Sequence, residues 1–479
     1  MKSLARDTAI YGLSSIIGKF LNYLLVPLYT YALARTADYG VVTNIYAWTA
    51  LLLVLLTYGM ETGFFRFANR EDYDAPSVYK TAYLTLFSSS AFFALLVVAF
   101  QHPLANILGY ADHSEFIAMM FVTVAVDAFA CIPFAYLRYQ KRPIVFAALK
   151  LLFVLLNIGF NLLFLVILGK NDVFYVFLSN ILATAIQTLC LLPFTMPKGG
   201  RFDAKVLKEM LRYSLPLLVL GVAGIMNQTL DRILFPYLYT GADAKAQLGI
   251  YGACFKVAMV MMMFTQAFRY AYEPFVFAKH KDRQSVEAYA DAMKYYIIFS
   301  YLILLGVIFY LDIFRYIVSS AYWEGLQIVP IVLWTYVFQG IYFNLSFWYK
   351  LTDETKWGAY FSLIGLVITL VLQVVGVPRI GYWASCGSSL VCYLVIMLLS
   401  YFIGQKKAPI PYDLKTIGIY TLLTIALLAV YYTIRLYCPM NMWVLMAIGT
   451  VLLVIYLAVL TRKDFPLSGL PVVGKYFKK

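Results

Sequence analysis

The sequence predicts an all-α, polytopic membrane protein of fourteen transmembrane helices: two six-helix lobes followed by a C-terminal pair. Three observations predict it. The composition is too apolar for water, the apolar runs have the length of a bilayer crossing, and two stretches half a chain apart repeat each other. Of 479 residues, 63% are hydrophobic and 13% charged, with a mean hydropathy of +0.78, whereas about a quarter of a soluble domain is charged.

Runs of about 20 apolar residues span a bilayer. The first six fall at Thr8 to Leu33, Val41 to Phe67, Val78 to Phe100, Ser114 to Leu137, Ile144 to Leu168 and Val173 to Thr195. The polar segment MPKGGRFDAKVLKEMLR, residues 196–212, then reads as a linker. A second six follow at Tyr213 to Tyr239, Leu248 to Tyr270, Ala290 to Asp312, Glu324 to Tyr349, Gly358 to Gly376 and Ile380 to Gly404. Leu414 to Leu436 and Asn441 to Thr461 complete the set. The expected divisions are therefore an N-lobe at 1–195, the linker at 196–212, a C-lobe at 213–404, the last two helices within 405–461 and a basic tail at 462–479. The N-terminus, MKSLARDTAIYGLSS, has no short apolar core ahead of a small-residue cleavage site, so its first run reads as a retained helix.

The repeat is carried by NYLLVPLYT (22–30) and NQTLDRILFPYLYT (227–240). Both end in Leu-Tyr-Thr, both place a proline inside a helix (Pro27 and Pro236), and a glycine follows each, Gly40 in YGV and Gly249 in LGI. Prolines at matching places in two halves are a mark of transporters built from repeats, with the site where the repeats meet.

The net charge of +14 would point to nucleic acid in a soluble protein, but here its distribution decides its meaning. Of the 38 Lys and Arg, 25 lie in or beside the termini and the even-numbered connections and 6 in the odd-numbered ones. This asymmetry predicts that both termini are cytoplasmic, in agreement with an even helix count and a parallel relation between the halves. The stretch Ala271 to Tyr289 and the tail GLPVVGKYFKK read as surface-lying anchors to membrane lipids. The aromatic content of 18%, with 41 tyrosines, fits belts at the two interfaces. The six cysteines show no CxxC pair, so neither disulfides nor a metal site are expected, and nothing calls for a cofactor.

Charges at membrane depth cost a few kcal/mol on insertion scales and mark function or pairing. Lys19 shares a polar stripe with Asn22 on the first helix and reads either as a contact for an anionic substrate or as the partner of Asp127. On the seventh helix Asp231 shares a face with Asn227 and Gln228, while Arg232 is turned about 100° away. If Asp231 pairs with Lys256 of the eighth helix, Arg232 faces either a cavity or the outer boundary, where a long side chain can snorkel. Lys19, Asn22, Asn227, Arg232 and Lys256 are thus the candidate substrate residues. Glu61, Asp127 and Asp231 are candidates for ion coupling, to a proton or sodium ion, or for structural pairing. Glu61 stands out because Gly59 and Gly63 flank it and leave room for a neighbour.

Enzyme motifs are missing or misplaced. Asp72-Tyr73-Asp74 matches a DxD metal motif, yet the charge count puts it in the cytoplasm, and no outer connection is long enough for a catalytic domain; the longest is Gln101 to His113. His102, His113 and His280 lie in loops on opposite sides, and no GxxxxGK[ST] phosphate loop is present. The segment ANREDYDAPSVYK lacks the Gly-x-x-x-Asp-Arg-x-Gly signature of major-facilitator transporters.

The six-plus-six-plus-two layout, with PLYTYALARTADYGVV early and SLPL, NQTLDRIL and LGIYGACFKVA in the seventh and eighth helices, resembles the polysaccharide transporters of the multidrug/oligosaccharidyl-lipid/polysaccharide exporter superfamily. The matching positions are chiefly Pro27, Tyr39-Gly40, Pro216, Asp231-Arg232 and Gly249-Ile250-Tyr251. The resemblance implies a MATE-like fold whose two lobes meet around a cationic cavity. It implies an undecaprenyl-diphosphate-linked oligosaccharide as substrate, flipped across the bacterial inner membrane for O-antigen or capsule synthesis, with a polysaccharide polymerase as a partner downstream. It assigns basic cavity positions to the first and eighth helices, where Lys19 and Lys256 fit. A drug or small-metabolite antiporter of the same fold is the alternative reading, and a polymerase or ligase a weaker one.

The topology is directly testable. A fluorescent reporter fused at Lys479 should light the cytoplasm, and cysteine labelling should proceed from outside at Asp243 but only after permeabilisation at Lys205. Phosphatase activity from a fusion at Lys479 would overturn the assignment.

Overall fold

The computed structural model describes residues 17–18, 20–278, 283–352, 354–438 and 440–465, and all regular structure among them is helical. Among the described residues, twelve helices are long and apolar enough to cross a membrane, and a further pair broken at Ala258 makes thirteen. The run expected at Thr8 to Leu33 is described only from residue 17, and Lys19 and the tail beyond residue 465 lie outside the described residues. So do residues 279–282 of the expected surface-lying stretch, which helices otherwise take up on either side.

In chain order the helices used below are α1 (Leu25–Ala32), α2 (Thr36–Thr57), α3 (Met60–Ala68), α4 (Ala75–Ala99), α5 (Ser114–Tyr139), α6 (Pro143–Asn161), α7 (Val173–Thr195) and α8 (Ala204–Leu238). They continue as α9 (Ala244–Val257), α10 (Met259–Ala278), α11 (Arg283–Phe309), α12 (Val329–Leu345), α13 (Lys356–Ile380), α14 (Tyr382–Lys407), α15 (Leu414–Tyr437) and α16 (Met442–Lys463).

The chain divides into two compact units. One comprises the chain up to Lys256 with Ala321–Gly325 and Lys356–Cys392; the other comprises Val257–Ser320, Leu326–Thr355 and the chain from Tyr393 onward.

In the first unit, α2 and α3 form one span interrupted at Tyr58 and Gly59, both with positive φ (33° and 70°). The interruption lets α8 approach: Ser214 donates its hydroxyl to the Gly59 carbonyl at 3.2 Å, and a side chain at Gly63 would sit 2.7 Å from the Ser214 hydroxyl. The room expected beside Glu61 is therefore filled by α8. Met60, Phe64 and Phe67 of α3, Val78 and Ala82 of α4, Ile132 and Ala135 of α5, and Val206 and Met210 of α8 make one buried cluster. Tyr79 and Tyr136 stack within it at 3.8 Å.

The segment read as a linker is helical from Ala204, and its beginning is fastened to α4. Arg201 donates its backbone N–H to Ser77 Oγ (3.1 Å), Lys80 its ammonium to the Gly200 carbonyl (3.1 Å), and Asp203 its N–H to Thr81 Oγ1 (3.0 Å). Asp203 then caps α8 by accepting from the N–H groups of Lys205 and Val206 (2.8 and 3.2 Å), which satisfies two of the donors a helix start leaves unpaired.

The second unit packs the last two helices against α11 through tyrosines. Tyr301 bonds Thr421 (2.9 Å), Tyr310 bonds Thr450 (2.8 Å), Tyr456 donates to the Ile298 carbonyl (2.8 Å) and Tyr431 to that of Phe309 (3.4 Å). Arg435 donates to Asp312 at 3.1 Å. Between lipid-facing helices packing and hydrogen bonds replace the hydrophobic drive that operates in water, which accounts for a seam built of tyrosine.

Small residues set how closely α11 and α12 approach. Tyr296 is buried, bonded to Thr265 at 2.8 Å, and a methyl group on Gly340 would overlap its phenol. Gly340→Ala is expected to lower stability by about 1–3 kcal/mol, the usual cost of overpacking. The check is thermal unfolding of the detergent-purified protein, in which adding Tyr296→Leu should restore much of the loss.

Candidate functional site

A cavity of about 320 Å³ opens inside the first unit, lined from six helices. Helical periodicity explains its walls. Tyr39, Thr43 and Tyr46 recur at spacings of four and three along α2, Thr229 and Arg232 lie three apart on α8, and Gly252, Phe255 and Lys256 share a face of α9. Tyr29 of α1, Asn157 of α6 and Asn180 of α7 complete the polar lining, with Asn22 preceding α1.

One side of the cavity is neutral. Asn180 donates to the Tyr46 hydroxyl at 2.9 Å, Asn161 donates to Asn157 Oδ1 at 3.1 Å, and the rings of Tyr29 and Tyr39 lie 6.5 Å apart. The other side is cationic. Arg232 lies over the ring of Phe255, 4.3 Å from its centroid, with Nε 3.7 Å from Asp231. Among the described residues, no carboxylate lines the cavity.

Asp231 is held differently from the expectation. It accepts a hydrogen bond from the buried Tyr251 and neighbours Arg232, so its partners are these two and not Lys256. The cause is rotational: Tyr251 lies five residues before Lys256 on α9, and only the former is turned toward the face of α8 that carries Asp231. Lys256 lines the cavity and pairs with no carboxylate among the described residues. Because Asp231 offsets much of the Arg232 charge, Lys256 supplies the excess positive charge.

The remaining candidates separate. Arg232, Lys256 and Asn22 come together at the cavity. Asn227 does not: it is buried and donates to the Ser362 carbonyl at 2.9 Å, tying α8 to α13. Lys19 lies outside the described residues, so its contact with substrate or with Asp127 has no structural counterpart here. Among the described residues, the cation that acts on Asp127 is Lys150 of α6, whose ammonium lies 3.8 Å from the centroid of Phe134. Glu61 forms an ion pair with Arg138 and accepts from the Cys131 thiol at 3.2 Å.

Apart from Asn22, the neutral lining lies beyond the residues expected from the sequence. Asn157, Asn180, Tyr29, Tyr39 and Tyr46 carry the same signal more weakly, being polar groups at the depth of apolar helices. Asn44 was missed as well; it donates to the Arg232 carbonyl at 2.6 Å and accepts from the Tyr110 hydroxyl at 2.9 Å.

These features define a multi-pass, all-α membrane protein with a polar, cationic cavity inside its helices. The chain belongs to the polysaccharide biosynthesis protein family, whose sequence profile matches residues 33–326. No curated protein matches the sequence. Among solved structures, the chain is similar to the lipid II flippase MurJ in an inward closed conformation, at a TM-score of 0.73 and 14% identity over 94% of this chain and 98% of that one. It is similar to an inward-facing multidrug resistance MATE family transporter of the MOP superfamily at 0.67 and 10% identity, over 87% and 99%. It is also similar to the MATE multidrug transporter DinF-BH in complex with R6G at 0.59 and 15%, over 85% and 96%. At these identities the likeness fixes the fold, which is that of the MurJ and MATE transporters.

The Glu61–Arg138 pair gives a test of structural pairing. Arg138→Met leaves the Glu61 carboxylate without its cation. Full burial would cost about 3–5 kcal/mol, but about a third of each side chain is exposed (39% and 33%), so a loss of roughly 1–2 kcal/mol is expected. The amount of folded protein in membranes should fall, and Glu61→Gln combined with Arg138→Met should recover it.

Proposed function

We propose that the protein is a flippase that moves an undecaprenyl-diphosphate-linked oligosaccharide from the cytoplasmic to the outer leaflet of the bacterial inner membrane. It works by alternating access, serves surface polysaccharide synthesis, and has both termini in the cytoplasm. The observation that carries the reading is the cavity: Arg232 and Lys256 together with tyrosines and asparagines, and no acidic lining among the described residues. Membership of a polysaccharide biosynthesis family supports it.

The chemistry fits each part of such a substrate. A diphosphate carries about two negative charges, whose transfer into hydrocarbon is prohibitive unless cations and hydrogen-bond donors replace water. Arginine and lysine are the groups that do so, arginine by its fork of N–H donors and lysine as a point charge. Sugar faces stack on aromatic rings, and sugar hydroxyls pair with amides and phenols, which the neutral side supplies. In this reading Lys19 adds a further cation from the first helix. Of the acidic candidates, Glu61 and Asp231 are engaged by arginines, which leaves Asp127 as the first to test for coupling to protons or sodium. The membrane potential also favours outward movement of an anion. A polymerase on the outer side would consume the delivered oligosaccharide. The chain acts in this reading as a transporter and not an enzyme.

The fold is shared with multidrug transporters, so a drug antiporter is the second reading. A cation-lined cavity without carboxylates disfavours organic cations as cargo.

Neutralising either cavity cation removes a charge-assisted contact worth roughly 1.5–3 kcal/mol, or about 10- to 150-fold in affinity. Lys256→Gln, Lys19→Ala and Arg232→Gln combined with Asp231→Asn, which leaves no buried carboxylate unpaired, are each expected to insert normally yet lose most lipid-linked oligosaccharide export per unit of membrane protein. Calorimetry with undecaprenyl diphosphate should show the matching loss of binding. Unchanged export and binding in all three would sink the cationic-cavity assignment, and tight binding of organic cations instead would favour the antiporter.

A further inference from the structure

Basic residues are scarce in the connections read as facing outward, with 6 of the 38 Lys and Arg, as the charge rule for short loops requires. Two of the six, Arg315 and Arg435, are nevertheless brought to one carboxylate. Arg435, near the end of α15, donates from Nη2 to Asp312 Oδ1 at 3.1 Å, and Arg315 Nη1 lies 3.8 Å from the same oxygen. Asp312 and Arg315 belong to the stretch between α11 and α12, and Arg435 stands 123 residues from Asp312 in the chain. A distant second cation has therefore been added to a carboxylate that already has one three residues away.

Together the three side chains carry one net positive charge, and the packing turns that charge outward. The Asp312 side chain is 9% exposed, whereas those of Arg315 and Arg435 are 26% and 37% exposed. Neighbours orient both guanidiniums: Arg315 donates from Nη2 to the Tyr316 hydroxyl at 3.2 Å and reaches the Met442 sulfur at 3.8 Å, and Arg435 donates from Nη1 to the Tyr431 hydroxyl at 3.5 Å. The rings that adjoin these residues in sequence, Tyr316, Tyr432, Tyr437 and Trp443, are exposed. Exposed Tyr and Trp mark the headgroup level of a bilayer, so the cluster sits where lipid phosphates lie.

We propose that Arg315 and Arg435, anchored on Asp312, form a binding site for the phosphate headgroup of an outer-leaflet lipid. A phosphate presents oxygens that match the guanidinium fork, and a second arginine serves a second oxygen of the same group. Asp312 is a positioning residue: it holds both guanidiniums from the buried side and offsets one of the two charges. The phosphate belongs either to an anionic glycerophospholipid or to a phosphorylated isoprenoid, since the same chemistry recognises both. This inference goes beyond the flippase reading and takes from it only the outward placement of the ninth and thirteenth connections.

Native mass spectrometry of the full-length protein released from nanodiscs of phosphatidylcholine and phosphatidylglycerol reads the site. Arg315→Gln keeps the Arg435–Asp312 pair, so no carboxylate loses its last cation. Retained phosphatidylglycerol should fall about fivefold, the weight of one cation at a membrane surface, and Arg315→Lys should recover part of it. Arg379→Gln removes another outward cation, one that donates to the Val375 carbonyl of its own helix at 2.6 Å, and should retain as much lipid as the parent. Equal retention by Arg315→Gln and the parent, or an equal loss in Arg379→Gln, overturns the site.

Replacing phosphatidylglycerol by undecaprenyl phosphate separates the sources. Stronger retention of undecaprenyl phosphate, lost in Arg315→Gln, assigns the site to the isoprenoid, and the reverse order assigns it to the glycerophospholipid. Inorganic phosphate that raises the thermal stability of the protein in phosphatidylcholine nanodiscs as much as either lipid does would overturn the lipid assignment. Should Arg315→Gln fail to accumulate, Asp312→Asn decides. Freed of the carboxylate, the two arginines should retain severalfold more anionic lipid; lower thermal stability with no gain in lipid would mean an internal ion pair and overturn the site. Retention is measured without export, so a lipid-holding protein that moves no oligosaccharide would refute the flippase reading and leave this site standing.

Discussion

A charged group among lipid-facing helices must be matched by an opposite charge, a hydrogen bond or water, and that constraint organises this chain. Glu61 is matched by Arg138, Asp312 by Arg435, and Asp231 by Tyr251 and Arg232. The matches use up the acidic groups at depth one by one. Charged groups in no ion pair among the described residues include Lys256, at the cavity, and Asp127 with Lys150, which influence each other without forming an ion pair. A residual cation in a polar cavity is what the proposed anionic substrate would meet, and a residual carboxylate elsewhere in the same unit is a separate matter.

Much of the architecture is legible in the sequence because hydrocarbon imposes a length and a composition on each crossing helix. Helix partners are less legible. Periodicity turns Arg232 away from Asp231, toward either a cavity or the outer boundary, and it lies on the cavity, but periodicity gives no rotation of one helix against another. That is why Lys256 was matched with Asp231 although Tyr251, a turn and a half earlier, holds that carboxylate. Asn227 illustrates the same limit: an amide at membrane depth satisfies a backbone carbonyl on a neighbouring helix as readily as it meets a substrate. The neutral lining was hidden for a different reason, since tyrosines serve equally in interfacial belts and in cavity walls.

The sequence repeat acquires a physical meaning at the α2–α9 crossing. Gly40 and Gly249 were visible as matching marks in two weakly similar stretches, and their mutual contact shows why a residue without a side chain is needed at both. Substituting only one still places a methyl group against the opposing carbonyl, so neither copy can drift independently of the other. Selection would act on the two positions as a pair.

The seam that binds the last two helices has a bearing on how the protein is made. Asp312 is separated from Arg435 by 123 residues, and Tyr301 and Tyr310 find Thr421 and Thr450 across similar intervals of 120 and 140. At a synthesis rate of about 5–20 residues per second, α11 waits on the order of 6–25 s in the bilayer before these partners emerge. During that interval the Asp312 carboxylate and the Tyr301 and Tyr310 phenols have only lipid headgroups, the insertion machinery or nearby Arg315 for company. Late docking of the last two helices is the consequence, and a nascent chain stalled before Arg435 would present these polar groups to quality control.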